Sequence, residues 1–231
     1  MINLHKPSAW TANAPQCFAD LAFADDYTRQ DLLDYVQYPQ MCGNIILEGG
    51  YGSGKSTIAA IIAKERLGNS ASVYELNGEA WDDDTLATLR GTFNLARLCE
   101  ELPIVIINEV DRLEGKQFKL RDFLDEHAQR LLVIMTTNHL SNIDGSIADR
   151  SDVYRVRGFK PEQAVTVAQR VLQRCAVTVP DSDLLKLFQR SLIGDETELS
   201  LRQIGRTVDK LVLQLDRTHQ SPPKKHKLKL V

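Results

Sequence analysis

The chain has 231 residues, a formal net charge of −3 and a pI near 6.0, which give no overall case for nucleic-acid binding, so any such contact needs a local basic patch. A chain of this length can bury a full core, as one large domain or as one domain plus a small one. Its four cysteines form no C-x-x-C pair, and no run of about 18 apolar residues or signal-peptide pattern is present, so we expect a reduced, cytoplasmic protein without a metal cluster or a membrane partner.

The first segment of the chain mixes polar and apolar residues. Residues 1–16 contain Pro7 and Pro15 and predict an extended arm. The stretch 31–36 has helical apolar spacing and ends before Pro39. This helix would pack beside the loop that follows it, where it could either contact a nucleotide base or serve core packing alone.

A glycine-rich loop then fits the phosphate-binding pattern G-x-x-x-x-G-K-[ST] at every fixed position. It lies between a predicted strand, 44–48, and a predicted helix, 58–67. Its glycines allow positive φ and aim successive N–H groups inward, and the helix start adds its positive end. Lys55 would reach the terminal phosphates, and the Ser56 hydroxyl would bind Mg²⁺. The predicted ATP ligands are Gly49, Gly50, Tyr51, Gly52, Ser53, Gly54, Lys55, Ser56 and Thr57.

Residues 72–77 predict a second strand, and the apolar run 102–111 predicts a strand that is buried on both faces. The polar residues of the second run come at its carboxyl end, where ligands of open α/β sheets bind. Glu109 is therefore placed to polarise an attacking water, and Asn108 stands where a carboxylate that orients the metal is expected.

Another apolar run, 131–135, predicts a strand that ends in Thr136, Thr137 and Asn138. The Asn138 amide could hydrogen-bond the γ-phosphate or the attacking water. Taken alone, an asparagine at this place is better explained by turn initiation.

Beyond residue 158 the pattern becomes helical. Three predicted helices, the last over 198–215, would form a small bundle. The remaining residues, 218–231, contain four lysines and no aspartate or glutamate, and they predict a disordered basic tail. The alternatives for this tail are contact with DNA phosphates and a role in assembly.

The order of these motifs resembles that of AAA+ ATPases, and most of all the small subunits of DNA polymerase sliding-clamp loaders, over residues 15–215. The resemblance implies an α/β fold: a three-layer P-loop NTPase with a parallel sheet over 1–158, and a small C-terminal helical lid over 159–217. It also implies ATP and Mg²⁺ as cofactors and self-assembly into a ring or filament. The implied partner is DNA or a protein of DNA replication or of a mobile element.

The resemblance also implies roles for single residues. Asn108 and Glu109 match the first two positions of the D-E-x-D motif, in which the acid orients magnesium and the glutamate acts on water. Asn138 matches the sensor-1 position. Arg150 matches the arginine of the S-R-C motif, which reaches the ATP of the neighbouring subunit, and Arg202 matches the sensor-2 arginine of the lid.

Several positions depart from the family pattern. Asn108 replaces the usual aspartate and removes one negative charge, so we expect weaker magnesium binding or slower hydrolysis, and a gain in turnover when aspartate is restored. The S-R-C motif is degraded to Asp149-Arg150-Ser151, so Arg155 and Arg157 are alternatives to Arg150. Arg206 is likewise an alternative to Arg202. We expect no helical collar domain.

Two functions follow from this pattern. The first is an ATP-hydrolysing switch or motor that assembles head to tail and acts on DNA or a DNA-bound protein. The alternative is a scaffold gated by ATP, with little or no hydrolysis because of Asn108. A small-molecule kinase fits poorly, since no separate acceptor lid is evident.

Overall fold

Five strands form one parallel sheet in the computed structural model, which describes residues 8–68, 73–96, 102–113, 115–128 and 130–220. The strands are β1 (Gly43–Glu48), β2 (Val73–Asn77), β3 (Ile104–Asn108), β4 (Leu132–Thr137) and β5 (Asp152–Arg155). Their order across the sheet is β2-β3-β4-β1-β5, and each neighbouring pair is parallel. The carboxyl ends of β1, β4 and β3 therefore lie side by side at one edge.

The α-helices of the described residues are α1 (Ala9–Ala12), α2 (Asp26–Gln37), α3 (Lys55–Leu67), α4 (Asp83–Ala96), α5 (Gln117–Glu126), α6 (Gly145–Ala148), α7 (Pro161–Arg174), α8 (Asp181–Ser191) and α9 (Leu201–Gln220). Among these residues, no helix is both long and apolar enough to cross a lipid bilayer.

Alternate strand residues bury their side chains on opposite faces of the sheet. Ile46 and Val133 belong to the apolar cluster that contains side chains of α4 and α5, whereas Ile45 and Ile134 belong to the cluster that contains side chains of α2 and α3. Because consecutive side chains of a strand point to opposite faces, strands that are apolar throughout need a helical layer on each side. The predicted three-layer α/β fold with a parallel sheet is confirmed.

The chain divides into two units, residues 15–158 and the described residues 159–220 together with 8–14. Residues 8–14 group with the C-terminal unit and form a short helix, whereas the sequence predicts an extended arm within the nucleotide-binding domain. The physical reason is local: the Ser8 hydroxyl caps α1, and the Trp10 N–H donates to Asp209 Oδ1 of α9 at 2.9 Å.

In the C-terminal unit, α7, α8 and α9 pack against one another as a small bundle. Helix α9 continues to Gln220, so residues 218–220, which were assigned to the basic tail, are helical. The rest of the predicted tail, 221–231, lies outside the described residues.

Packing between α1 and α9 depends on the absence of a side chain at Gly205. A Cβ atom there would lie 2.8 Å from two ring carbons of Trp10, which is too close for a real contact. We expect Gly205→Ala to destabilise the C-terminal unit by about 1–3 kcal/mol, because the ring must move or α1 must detach. Urea unfolding measures the loss, and a red shift of tryptophan emission reports exposure of Trp10.

Gly91 in α4 provides the matched control, since no atom lies within 4 Å of a Cβ built there. Gly91→Ala should stabilise the protein by about 0.5–1 kcal/mol through the lower entropy of the unfolded chain. A Gly205→Ala variant that is as stable as Gly91→Ala would contradict the packing of Trp10 on α9.

Candidate nucleotide-binding site

The glycine-rich loop connects β1 to α3 and requires glycine for two different reasons. A Cβ atom at Gly49 would lie 2.3 Å from the Val156 carbonyl oxygen, so only glycine allows this close approach. Gly52 and Gly54 have φ angles of 75° and 100°, which glycine adopts at little cost. The loop thereby turns tightly into the first residue of α3, whose initial N–H groups have no acceptor within the helix and can bind phosphate.

Lys55 is the first residue of α3, and its side chain is only 8% exposed. Its ammonium donates to the carbonyl oxygens of Gly49 at 2.8 Å and Gly50 at 2.9 Å, and to Asn138 Oδ1 at 2.9 Å. It also lies 3.4 Å from the hydroxyl of Ser53. The predicted phosphate lysine therefore joins the loop to the end of β4. Ser56 and Thr57, the next two residues, are exposed, as is Tyr51.

The position of Asn138 follows from the strand order, because β4 lies between β1 and β3. The turn after β4 is made by Thr137, whose hydroxyl accepts from the His139 N–H at 3.0 Å and donates to Asp111 Oδ1 at 2.8 Å. The Asn138 side chain is directed to Lys55 instead. The contact with Lys55 therefore favours a role at the site over turn initiation.

Asn108, the last residue of β3, faces the first turn of α3. Its Oδ1 accepts from the hydroxyls of Ser56 at 2.8 Å and Thr136 at 3.1 Å. Its Nδ2 donates to Glu75 Oε1 at 2.7 Å. Both ends of the amide are thus used, and its oxygen is on the side of Ser56.

The residues around Ser56 fit a magnesium ion that arrives with a nucleotide. The Ser56 hydroxyl and the Asn108 amide offer oxygen atoms, which Mg²⁺ prefers, and Mg²⁺ usually keeps several waters and substrate phosphates among its ligands. Within the described ranges there is no cluster of three or more His, Cys, Asp or Glu residues able to hold a metal. A bound nucleotide would contribute phosphate oxygens as further ligands.

Glu109 follows β3 with left-handed backbone angles, φ 55° and ψ 49°, which are uncommon for a residue other than glycine. Its carboxylate Oε2 lies 3.1 Å from Arg112 Nε and accepts from Asn77 Nδ2 at 3.5 Å. Arg112 also pairs with Glu79. The hydrogen bond that the Arg112 guanidinium donates to Glu79, with a smaller contribution from the Glu109 charge, raises the pKa of Arg112. The predicted catalytic carboxylate is thus held by Arg112 and Asn77 in this structure.

Arg150 is not part of this cluster. It precedes β5, and its carbonyl oxygen accepts from Asn44 Nδ2 at the amino-terminal end of β1, whereas the loop begins at Gly49 after the other end. Gly49 is five positions after Asn44, about 16 Å along an extended strand. Arg150 therefore lies at the sheet edge opposite its own glycine-rich loop.

The Arg150 side chain forms a two-pronged ion pair with Asp125 of α5, with Nε–Oδ1 at 2.6 Å and Nη2–Oδ2 at 3.2 Å. A further hydrogen bond runs from Nη1 to the Ser146 carbonyl oxygen at 2.8 Å. The hydrogen bond between the two side chains raises the pKa of Arg150 and lowers the pKa of Asp125, so both groups stay charged.

The alternative arginines are placed differently. Arg155 pairs in register with Glu48 at the end of β1, with Arg155 Nε 3.5 Å from Glu48 Oε2, beside its own loop. Arg157 is exposed two residues further on. Arg202 and Arg206 are exposed on α9 in the other unit, and their roles stay predictions.

Sequence reasoning missed four side chains that contact the predicted site residues. Glu75 and Asn77 on β2, Thr136 on β4 and Arg112 after β3 bond directly to Asn108 or Glu109. Their positions near strand ends could have revealed them, because polar residues near the carboxyl ends of neighbouring parallel strands meet at one edge of the sheet.

A glycine-rich loop between the first strand and a helix, a buried lysine at that helix start and a five-stranded parallel sheet between helical layers define a P-loop NTPase fold. Residues 45–158 match the family model described as "ATPase family associated with various cellular activities (AAA)". This part of the chain is an AAA domain, and the family implies nucleotide binding.

Curated proteins similar to the chain include Lon protease homologs and replication factor C subunits. The mitochondrial Lon protease homolog of Ostreococcus lucimarinus is 25% identical over 81% of this chain and 25% of its own length. The replication factor C small subunit of Staphylothermus marinus is 22% identical over 80% of this chain and 61% of its own length. The probable replication factor C subunit 2 of Dictyostelium discoideum is 31% identical over 63% and 45%. The chain thus spans less than two thirds of each of these relatives.

A solved structure supports the fold independently. The crystal structure of domain III of the replication initiation protein DnaA from Thermotoga maritima matches with a TM-score of 0.66, covering 94% of each chain at 17% identity.

Proposed function

We propose that the chain is an ATP-binding and ATP-hydrolysing AAA+ switch that assembles head to tail and acts on DNA or on a DNA-bound protein. The observation that carries this proposal is the meeting of Lys55, Asn138, Ser56 and Asn108 at one sheet edge. The DNA role is supported by similarity to proteins named for replication, and similarity to Lon protease homologs supports a protein substrate as the alternative.

The chain's own groups suffice for the binding step. Lys55 exchanges the carbonyl oxygens of Gly49 and Gly50 for phosphate oxygens, and the loop N–H groups surround the phosphates. Ser56 and Asn108 hold the side of the site where the magnesium ion belongs, and that ion, when bound, neutralises charge on the phosphates. Asn138 stays near Lys55, where its amide can contact the γ-phosphate.

Hydrolysis needs the Glu109 carboxylate. It orients a water and accepts a proton from it as the water oxygen attacks the γ-phosphorus. The bond from that phosphorus to the bridging oxygen breaks, and ADP and phosphate form. A carboxylate that is paired with Arg112 is a weaker acceptor for this water than one that is not.

The pairing of Glu109 with Arg112 also supports the second candidate, a scaffold gated by ATP with slow hydrolysis. The variant Arg112→Ala distinguishes between the two candidate functions. We expect the variant to hydrolyse ATP up to about fivefold faster than the wild type, the factor that corresponds to an exposed ion pair of about 0.2–1 kcal/mol. Steady-state phosphate release at saturating MgATP measures the change.

Two variants control this experiment. Glu79→Gln removes the other partner of Arg112 but leaves the contact with Glu109, so it should not raise turnover. Glu109→Gln should bind ATP and hydrolyse it at least about a hundredfold more slowly, as expected for loss of a general base. If Arg112→Ala is no faster than Glu79→Gln, Arg112 does not restrain Glu109.

A further inference from the structure

The Asn108 side chain donates a hydrogen bond to Glu75 of the neighbouring strand. At 2.7 Å it is short for an amide donor and typical of a bond to a charged acceptor. In the register of β2 and β3, Asn77 is the partner of Asn108, and Glu75 lies two residues before Asn77 on the same face. The carboxylate therefore reaches the amide from the neighbouring strand.

This contact decides how the amide is oriented. Because Glu75 can only accept, the amide nitrogen must point to it, and the amide oxygen is left for the hydroxyls of Ser56 and Thr136. A charged acceptor on the nitrogen side draws the amide toward its polar resonance form, which makes its oxygen a stronger acceptor. The negative charge of Glu75 therefore lies behind the Asn108 amide and strengthens the partial negative charge on the amide oxygen that faces Ser56.

We propose that Glu75 is the acid of the magnesium side of the site, a positioning residue that acts through Asn108 and replaces the charge that an aspartate at position 108 would carry. The inference rests on the proposed function, since it assumes that MgATP binds at Ser56. It names a residue of β2 as part of the site.

The arrangement reverses the expectation drawn from the sequence for Asn108→Asp. An aspartate at 108 would place a second carboxylate oxygen about where the donor now lies, 2.7 Å from Glu75 Oε1, and the two like charges would repel. Because this repulsion would push the new carboxylate away from its place opposite Ser56, the single variant should bind Mg²⁺ less well than the wild type. The double variant Glu75→Gln/Asn108→Asp should restore Mg²⁺ binding, because the glutamine amide then donates to the aspartate and one negative charge remains.

The test is a Mg²⁺ titration of the binding of a fluorescent ATP analogue, mant-ATP, to the full chain, with binding in EDTA as the baseline. Glu75→Gln should raise the Mg²⁺ concentration for half-maximal effect about tenfold or more, the usual result of losing an outer partner of a metal ligand. Binding in EDTA should stay unchanged. Asn108→Asp should shift the midpoint in the same direction, and the double variant should return to within about threefold of the wild type.

Asp84→Asn is the matched control, since it removes one exposed carboxylate from the first turn of α4 at no cost to the Asn108 contacts. A Glu75→Gln midpoint equal to that of Asp84→Asn would overturn the inference. So would an Asn108→Asp variant that binds Mg²⁺ more tightly than the wild type, or a double variant no better than the singles. Wild-type protein that binds no mant-ATP with Mg²⁺ would instead overturn the proposed function itself.

Discussion

Lys55→Ala is expected to weaken MgATP binding at least about a hundredfold and to reduce hydrolysis to background. The lysine is the buried cation of the loop, and its ammonium is held by loop carbonyls and Asn138 at the place where phosphates would enter. Two charge-assisted hydrogen bonds to phosphate, at about 1.5–3 kcal/mol each, account for a loss of this size. Isothermal titration with MgATP and phosphate release measure the two effects.

Lys64→Ala is the control for this variant. Lys64 lies on the same helix, α3, and its ammonium bonds to the exposed carbonyl oxygen of Gln16 at 3.1 Å, away from the loop. The Lys64→Ala protein should bind MgATP with the affinity of the wild type. Thermal unfolding of both variants checks that each is folded. A Lys55→Ala protein that is folded and binds MgATP within threefold of the wild type would contradict the assignment of the loop.

Arg150→Ala is expected to lower turnover of the assembled protein about a thousandfold while it leaves ATP affinity within a few-fold. An arginine supplied by a neighbouring subunit typically accelerates phosphoryl transfer by about 10³ or more. Affinity should be spared because Arg150 lies at the sheet edge opposite its own loop. Turnover at high protein concentration and mant-ATP titration of the same samples measure the two quantities.

Mixing subunits tests whether Arg150 acts in trans. Arg150→Ala and Glu109→Gln should each be inactive alone, but an interface between them pairs an intact Glu109 with an intact Arg150, so the mixture should regain turnover. Arg155→Ala, which alters an arginine beside its own loop, should not be complemented in this way. Loss of ATP binding in isolated Arg150→Ala subunits would show that the trans assignment is wrong.

The contact of Arg150 with Asp125 gives this account a second consequence. The arginine is held within its own subunit, so it must exchange Asp125 for a phosphate when a neighbour is present. Both side chains are partly exposed to solvent, and exposed ion pairs contribute about 0–1 kcal/mol, so the exchange costs little.

The sheet could be predicted from the sequence because its strands are buried on both faces. Runs such as 102–111 are apolar without alternation, and their polar ends identify the edge that carries Asn108 and Glu109. Strand β5 was not predicted, since it is a short edge strand with exposed Asp152 and Val153. It is recognised as a strand by its pairing with β1, which the sequence alone does not reveal. Helix α1 was missed because Trp10 packs on a helix almost two hundred positions away.

The site was predictable where one motif fixes a residue, and less so where partners come from different strands. Lys55 and Ser56 follow from the loop pattern. The contact of Glu75 with Asn108 depends on the register of β2 and β3, which no local pattern reveals, and the pairing of Glu109 with Arg112 depends on the turn after β3. The opposite positions of Arg150 and the loop follow from the pairing of β5 with β1, which places Arg150 beside the amino-terminal end of β1.

The central claim is that ATP turnover requires neighbouring subunits. The most direct test measures turnover per subunit against protein concentration, with Mg²⁺, and with and without single-stranded and primed DNA, using Lys55→Ala as the blank. The account predicts turnover per subunit that rises with concentration, or that increases sharply when DNA is added. Turnover per subunit that equals the blank, or that is constant across concentrations and unaffected by DNA, would contradict it.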